Sequence, residues 1–127
     1  MSPADLEGVH ERLKAILREQ RGELAVSADG PGGMTLEVPG LEGKPWGYVA
    51  GTRLGKRYVS YYLMPVYADP ALESSISPAL AKRRQGKSCF NFATVDEPLF
   101  AELGRLTATA IDGWPDEARR LAAERAR

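Results

Sequence analysis

The chain has 127 residues, 43% of them hydrophobic and 27% charged, with 17 basic and 17 acidic side chains. That length and balance suit one ordinary globular domain, large enough to bury about two thirds of its unfolded-chain surface without staples. The neutral total argues against a general nucleic-acid binder, the single cysteine forbids an internal disulfide, and no apolar run is long enough to span a bilayer. The first residues lack the basic-then-apolar pattern of a secretory leader, so the expected compartment is cytoplasmic with no membrane partner.

Ser2-Pro3-Ala4-Asp5 opens a first helix: serine as cap, proline at the first helical position, and an acid where a capping box wants one. Leu6, Val9, Leu13, Ile16 and Leu17 follow on one stripe, and Gly22 is the expected stop. The period then changes to two. Leu24, Val26 and Ala28, a turn at 29–33, and Met34, Leu36 and Val38 read as a hairpin with one buried face. Residues 46–52 and 58–64, rich in Tyr, Val and Trp and joined by "RLGKR", read as a second strand pair that Pro65 ends. In that pair Tyr58 and Tyr62 share one face, and Val59, Tyr61 and Leu63 share the other.

Asp69-Pro70 and Ser77-Pro78 are two cap-and-proline starts, which predict one short helix broken near Ser77 and ending before Gly86. Residues 87–92 then form a fifth strand. Thr94 to Glu97 reads as a capping box ahead of a helix whose apolar face is Leu99, Phe100, Leu103, Leu106, Ala110 and Ile111. Gly113 closes it, and a last helix at 115–127, thin in apolar residues, sits at the periphery. The expected fold class is α+β: a two-layer domain spanning 1–127, with an antiparallel sheet of about five strands against helices, in the order α-β-β-β-β-α-β-α-α.

Charge is unevenly spread along this order. Residues 1–52 carry five basic and eight acidic side chains, residues 53–87 seven and two, and residues 88–127 five and seven. The basic middle includes "LAKRRQGKSCFNF" at 80–92. Its Gly-Lys-Ser resembles the end of a phosphate-binding loop, but a helix precedes it, a strand follows it, and Ala81 stands where the upstream glycine belongs. The leading reading places Arg83 and Arg84 in the last helical turn, Gly86 as its left-handed cap and Lys87 at a strand edge. The functional alternative is an anion-contact surface of Arg53, Lys56, Arg57, Lys82, Arg83, Arg84 and Lys87, if the two basic bends meet in space. Tyr58 and Tyr62 would then be its aromatic walls.

Cys89 alternates with Phe90 and Phe92, so Cys89 and Asn91 face away from the core if the phenylalanines face it. A free cysteine is commonly a small packing residue; basic neighbours make a reactive thiol the alternative. His10, the only histidine, reads as a helix-flank residue, and nothing in the sequence brings it to Cys89. One His and one Cys cannot build a typical zinc site, and the acids are scattered, so no metal ligand or catalytic residue is assigned. Tyr58, Tyr61, Tyr62 and Tyr67 with Trp46 and Trp114 could line a pocket, though an aromatic sheet face is more often core.

The stretch "YVSYYLMPVYADPALESSISPALAKRRQGKSCFNFATVDEPLFAELGRLT" resembles bacterial YdhG-like domains of unknown function. They share a strand ending in Met-Pro, a short helix, a Lys-Gly-Lys-type turn, an aromatic strand and a "DEPLFAEL"-like helix. The likeness covers about half the chain. It implies a two-layer fold similar to type III secretion chaperones, and some relatives are described as frataxin-like iron-binding proteins. Here the first helix mixes Glu7 and Glu11 with Arg12, Lys14 and Arg18, unlike an acidic iron-binding ridge.

The resulting expectation is a small non-enzymatic domain that binds an anionic ligand or a protein partner and carries no cofactor. Frataxin-like iron delivery is the first alternative and thiol chemistry at Cys89 the second. A homodimer through a sheet edge or the last helix is compatible with the sequence.

Overall fold

The computed structural model describes residues 3–125. It shows an α+β fold in which helices cover one side of an antiparallel sheet. Helix α1, Pro3–Gln20, buries Leu6, Val9, Leu13 and Leu17 along the predicted stripe. The expected cap, Ser2, lies outside the described residues. Gly22 takes the left-handed conformation after α1 (φ 55°), as its role as a stop requires.

Two hairpins follow. Strands β1, Ala25–Gly30, and β2, Gly33–Glu37, pair first; β3, Tyr48–Leu54, and β4, Val59–Leu63, pair next. Pro65 ends β4 as predicted, because it has no N–H for the ladder. The single broken helix is in fact three short ones: α2 at Pro65–Ala68, α3 at Pro70–Ser75 and α4 at Pro78–Ala81. The Asp69 and Ser77 side chains cap α3 and α4, accepting from the Ala71 and Leu80 amides.

The predicted helical turn at Arg83 and Arg84 is not formed. The chain leaves α4 after Ala81 and makes a two-residue strand, β5, at Arg84–Gln85, which pairs with β6, Cys89–Phe92. Gly86 is left-handed (φ 70°), but it serves the β5–β6 turn and not a helix end, and Lys87 lies in that turn. Among the described residues the sheet therefore has six strands, in the order β1-β2-β3-β4-β6-β5, every neighbouring pair antiparallel.

Helix α5, Glu97–Ile111, starts two residues later than a Thr94 capping box would place it. Asp96 is its cap, accepting from the Leu99 amide. Helix α6, Trp114–Arg125, packs on α5 through a thin apolar set, Pro115 and Ala118 among it.

The core lies between the sheet and the α1–α5 pair. Leu103 and Leu106 point into it, as do Val59, Tyr61, Leu63, Phe90 and Phe92. Phe92 meets Phe100 edge to face, with ring centroids 5.1 Å apart. Full burial of each such side chain is worth about 1.5–3 kcal/mol.

His10 departs from the flank position expected of it. It is 2% exposed, and its Nε2 lies 2.7 Å from Thr52 Oγ1 on β3. Its burial then follows from position: residue 10 stands one helical turn from both Leu6 and Leu13. Lys14, on the same face, buries its stem and brings its ammonium to Asp29 Oδ1 (3.0 Å) and the Gly30 carbonyl (2.7 Å).

Candidate functional site

Alternation puts every second residue of the central strands on the face opposite the helices. Register aligns Arg53 of β3 with Ser60 of β4 and Asn91 of β6; one step along, Gly51, Tyr62 and Cys89 form a parallel row. Gln85 of β5 pairs with Cys89 at the end of that second row. The β3–β4 hairpin turn adds Lys56 and Arg57 at its tip, where the Gly55 amide donates to the Tyr58 carbonyl (3.0 Å). These residues enclose an open concavity of about 550 Å³, with Tyr58 and Tyr62 among its walls. No acidic side chain among the described residues lines it. Among the described residues, Arg53, Lys56 and Arg57 form no ion pair.

The floor is tied together by side-chain hydrogen bonds. Asn91 Oδ1 accepts from Ser60 Oγ (2.8 Å) and from Cys89 Sγ (3.4 Å), and Asn91 Nδ2 donates to Gln85 Oε1 (2.5 Å). Burial pushes the Cys89 thiol up, against a smaller opposing effect of Ser60, so the sulfur is protonated and a poor nucleophile near neutrality. Beside it, Tyr48 packs its hydroxyl over Gly51. Burial, with smaller contributions from Tyr62, Cys89 and Glu37, raises that phenol well above its ordinary range. Glu37, on the same face, is held ionised by Ser27 and by the Gly43 amide, which donates at 2.8 Å.

Of the cationic residues singled out in the sequence, the structure brings Arg53, Lys56 and Arg57 to this concavity together with Tyr58, Tyr62 and Cys89. The second basic bend does not join them, because Lys82, Arg83, Arg84 and Lys87 are absent from its lining. Arg84 is engaged by Glu73 (3.0 Å) and by the Lys87 carbonyl, and the Lys87 ammonium sits 5.1 Å from the Tyr67 ring centre. Lys82 and Arg83 are exposed. Sequence reasoning missed Ser60, Gln85 and Asn91 as lining residues, although alternation with Phe90 and Phe92 had turned Asn91 away from the core. The parity that separated Tyr58 and Tyr62 from Tyr61 already placed Ser60 between them; Gln85 gave no such signal.

The tryptophans and tyrosines do not share a pocket. Trp46, in a left-handed conformation (φ 71°), and Trp114 line a separate cleft of about 570 Å³ with Leu72, Asp112 and Leu121. Tyr61 is wholly buried on the helix side. His10 lies under α1 on that same side, so the sheet separates it from Cys89. Among the described residues, no group of three or more His, Cys, Asp and Glu side chains could hold a metal ion, and no helix is long and apolar enough to cross a membrane.

No known family, no curated protein and no solved structure matches the chain.

Proposed function

We propose that this is a non-enzymatic binding domain that takes a small anionic ligand in the concavity on the open face of its sheet. The carrying observation is the convergence of Arg53, Lys56 and Arg57, without ion pairs among the described residues, around a floor whose polar groups are uncharged. Like-charged side chains gathered without counter-charge repel one another, and a bound anion relieves that repulsion. Arginine adds a planar fork suited to carboxylate or phosphate oxygens. The volume fits one small molecule. A cytoplasmic, bacterial, YdhG-like identity is part of this proposal and rests on the sequence resemblance.

The test is thermal unfolding at matched ionic strength in chloride, acetate, phosphate and citrate. The multivalent anions are expected to raise the melting temperature of the natural protein and to leave that of an Arg53→Gln/Arg57→Gln variant unchanged. Each guanidinium hydrogen-bonded to an oxyanion should contribute roughly tenfold to a hundredfold in affinity. An equal response from the variant, or none from the natural protein, would refute the proposal. A response only to acidic peptides would replace the small ligand by a protein partner.

A further inference from the structure

Resting on the anion-binding reading, we infer that the ligand class is a flat oxyanion: a carboxylate or phosphate group attached to an aromatic-type ring. The inference comes from the shape and hydrogen-bonding polarity of the concavity, beyond its charge. Ser60 is small and stands at the crossing of two lines of larger side chains. Along the strand it is flanked by Tyr58 and Tyr62, two residues away on either side. Across the sheet it is flanked by its register partners Arg53 and Asn91. At strand geometry the tyrosine Cα atoms are about 13 Å apart, and the neighbouring strands lie roughly 4.8 Å to each side. The small central residue thus leaves a slot, and the four groups around it are two phenols, a guanidinium and a carboxamide. All four are planar and can stack on a ring.

The floor also has a direction. Asn91 Oδ1 is occupied by the Ser60 hydroxyl and the Cys89 thiol, which orients the amide so that Nδ2 donates to Gln85 Oε1. The second Asn91 N–H and the Gln85 Nε2 group remain as donors beside the guanidiniums. Donors and cations together select a ligand whose polar atoms are acceptors. An oxyanion on a planar body satisfies both the walls and the floor.

The experiment is a titration of ¹⁵N-labelled full-length protein, followed by amide shifts, with acetate, cyclohexanecarboxylate, benzoate and phenyl phosphate. Benzoate and cyclohexanecarboxylate carry the same charge and similar volume but differ in planarity. Benzoate is expected to bind roughly three- to tenfold more tightly than cyclohexanecarboxylate, the increment typical of aromatic stacking. Acetate should be weakest, and phenyl phosphate against benzoate identifies the preferred head group. Tyr58→Leu should equalise benzoate and cyclohexanecarboxylate, with an amide spectrum that keeps the dispersion of the natural protein, because Tyr58 is exposed and outside the core. Equal binding of all carboxylates, or tighter binding of the saturated ring, would overturn the planar-ligand inference while leaving anion binding intact. Silence toward every anion would overturn both.

Discussion

Replacing Thr107 by valine is expected to destabilise the protein more than replacing Tyr61 by phenylalanine, although both changes break the same hydrogen bond. Tyr61 Oη and Thr107 Oγ1 lie 2.7 Å apart, and both residues are fully buried. Thr107 uses its one hydroxyl hydrogen on the Leu103 carbonyl (2.7 Å), so Tyr61 must be the donor between them. Tyr61→Phe removes that donor, while Thr107 keeps its bond to Leu103; the loss is one net hydrogen bond, about 0.5–1.5 kcal/mol. Thr107→Val strands a buried phenolic O–H, which costs about 1–3 kcal/mol. The double variant sets phenylalanine against valine with neither group unsatisfied, so its loss should fall short of the sum of the single losses. Urea unfolding of the four proteins measures the cycle. Additive losses, or a larger loss for Tyr61→Phe, would refute the donor assignment and the tie between β4 and α5 that backs the binding face.

Other consequences follow from single sites. Burial, and secondarily Lys14, holds the His10 imidazole below its ordinary value, so the unfolded chain takes up the proton first as pH falls. The stability His10 contributes is full above about pH 6.5 and is lost as pH drops through its folded-state value, so urea midpoints should decline between pH 7.5 and 5.5, with a shallower decline in His10→Asn. A slope as steep in the variant would show that another group governs it. Gly51→Ala would set a methyl 2.6 Å from the Met34 carbonyl oxygen and against the Tyr48 hydroxyl, at a cost of about 1–3 kcal/mol. Gly8→Ala on α1 meets nothing within 4 Å and should stabilise by about 0.5–1 kcal/mol; calorimetric melting of both variants checks the contrast. Alkylation of Cys89 by iodoacetamide at pH 7.5 should be much slower in the native protein than in urea, since burial disfavours its thiolate. Equal rates would revive the thiol reading.

Periodicity carried most of the fold. The stripe on α1, the parity of residues 58–64 and the apolar face of α5 are each one-period patterns, and all three appear where alternation and helical spacing put them. The misses begin earlier, since Val26 and Ala28 of β1 are exposed where alternation expected a buried face and the one broken helix is three; the rest fall between residues 82 and 97. Arg83-Arg84-Gln85 has no apolar alternation to mark a strand, and β5 exists because the β6 edge accepts two residues in register, a tertiary effect. Thr94 and Asp96 are both competent caps, and the local sequence does not rank them. His10 was misplaced for a different reason: polarity suggested a flank position, whereas α1 packing on β3 encloses the side chain there. For the site, charge clustering found the β3–β4 turn but could not separate it from the bend at 82–87. That separation depends on Glu73 reaching Arg84 from α3 and on the β5–β6 turn carrying Lys87 toward Tyr67.

The central claim is that anions bind across β3, β4 and β6 on the side of the sheet away from the helices. Mapping amide shift changes during a citrate titration tests it most directly. The account predicts the largest changes at Arg53, Lys56, Arg57, Ser60, Tyr62 and Asn91. Changes centred on residues 82–84 and 87, or spread over both basic bends alike, would contradict it.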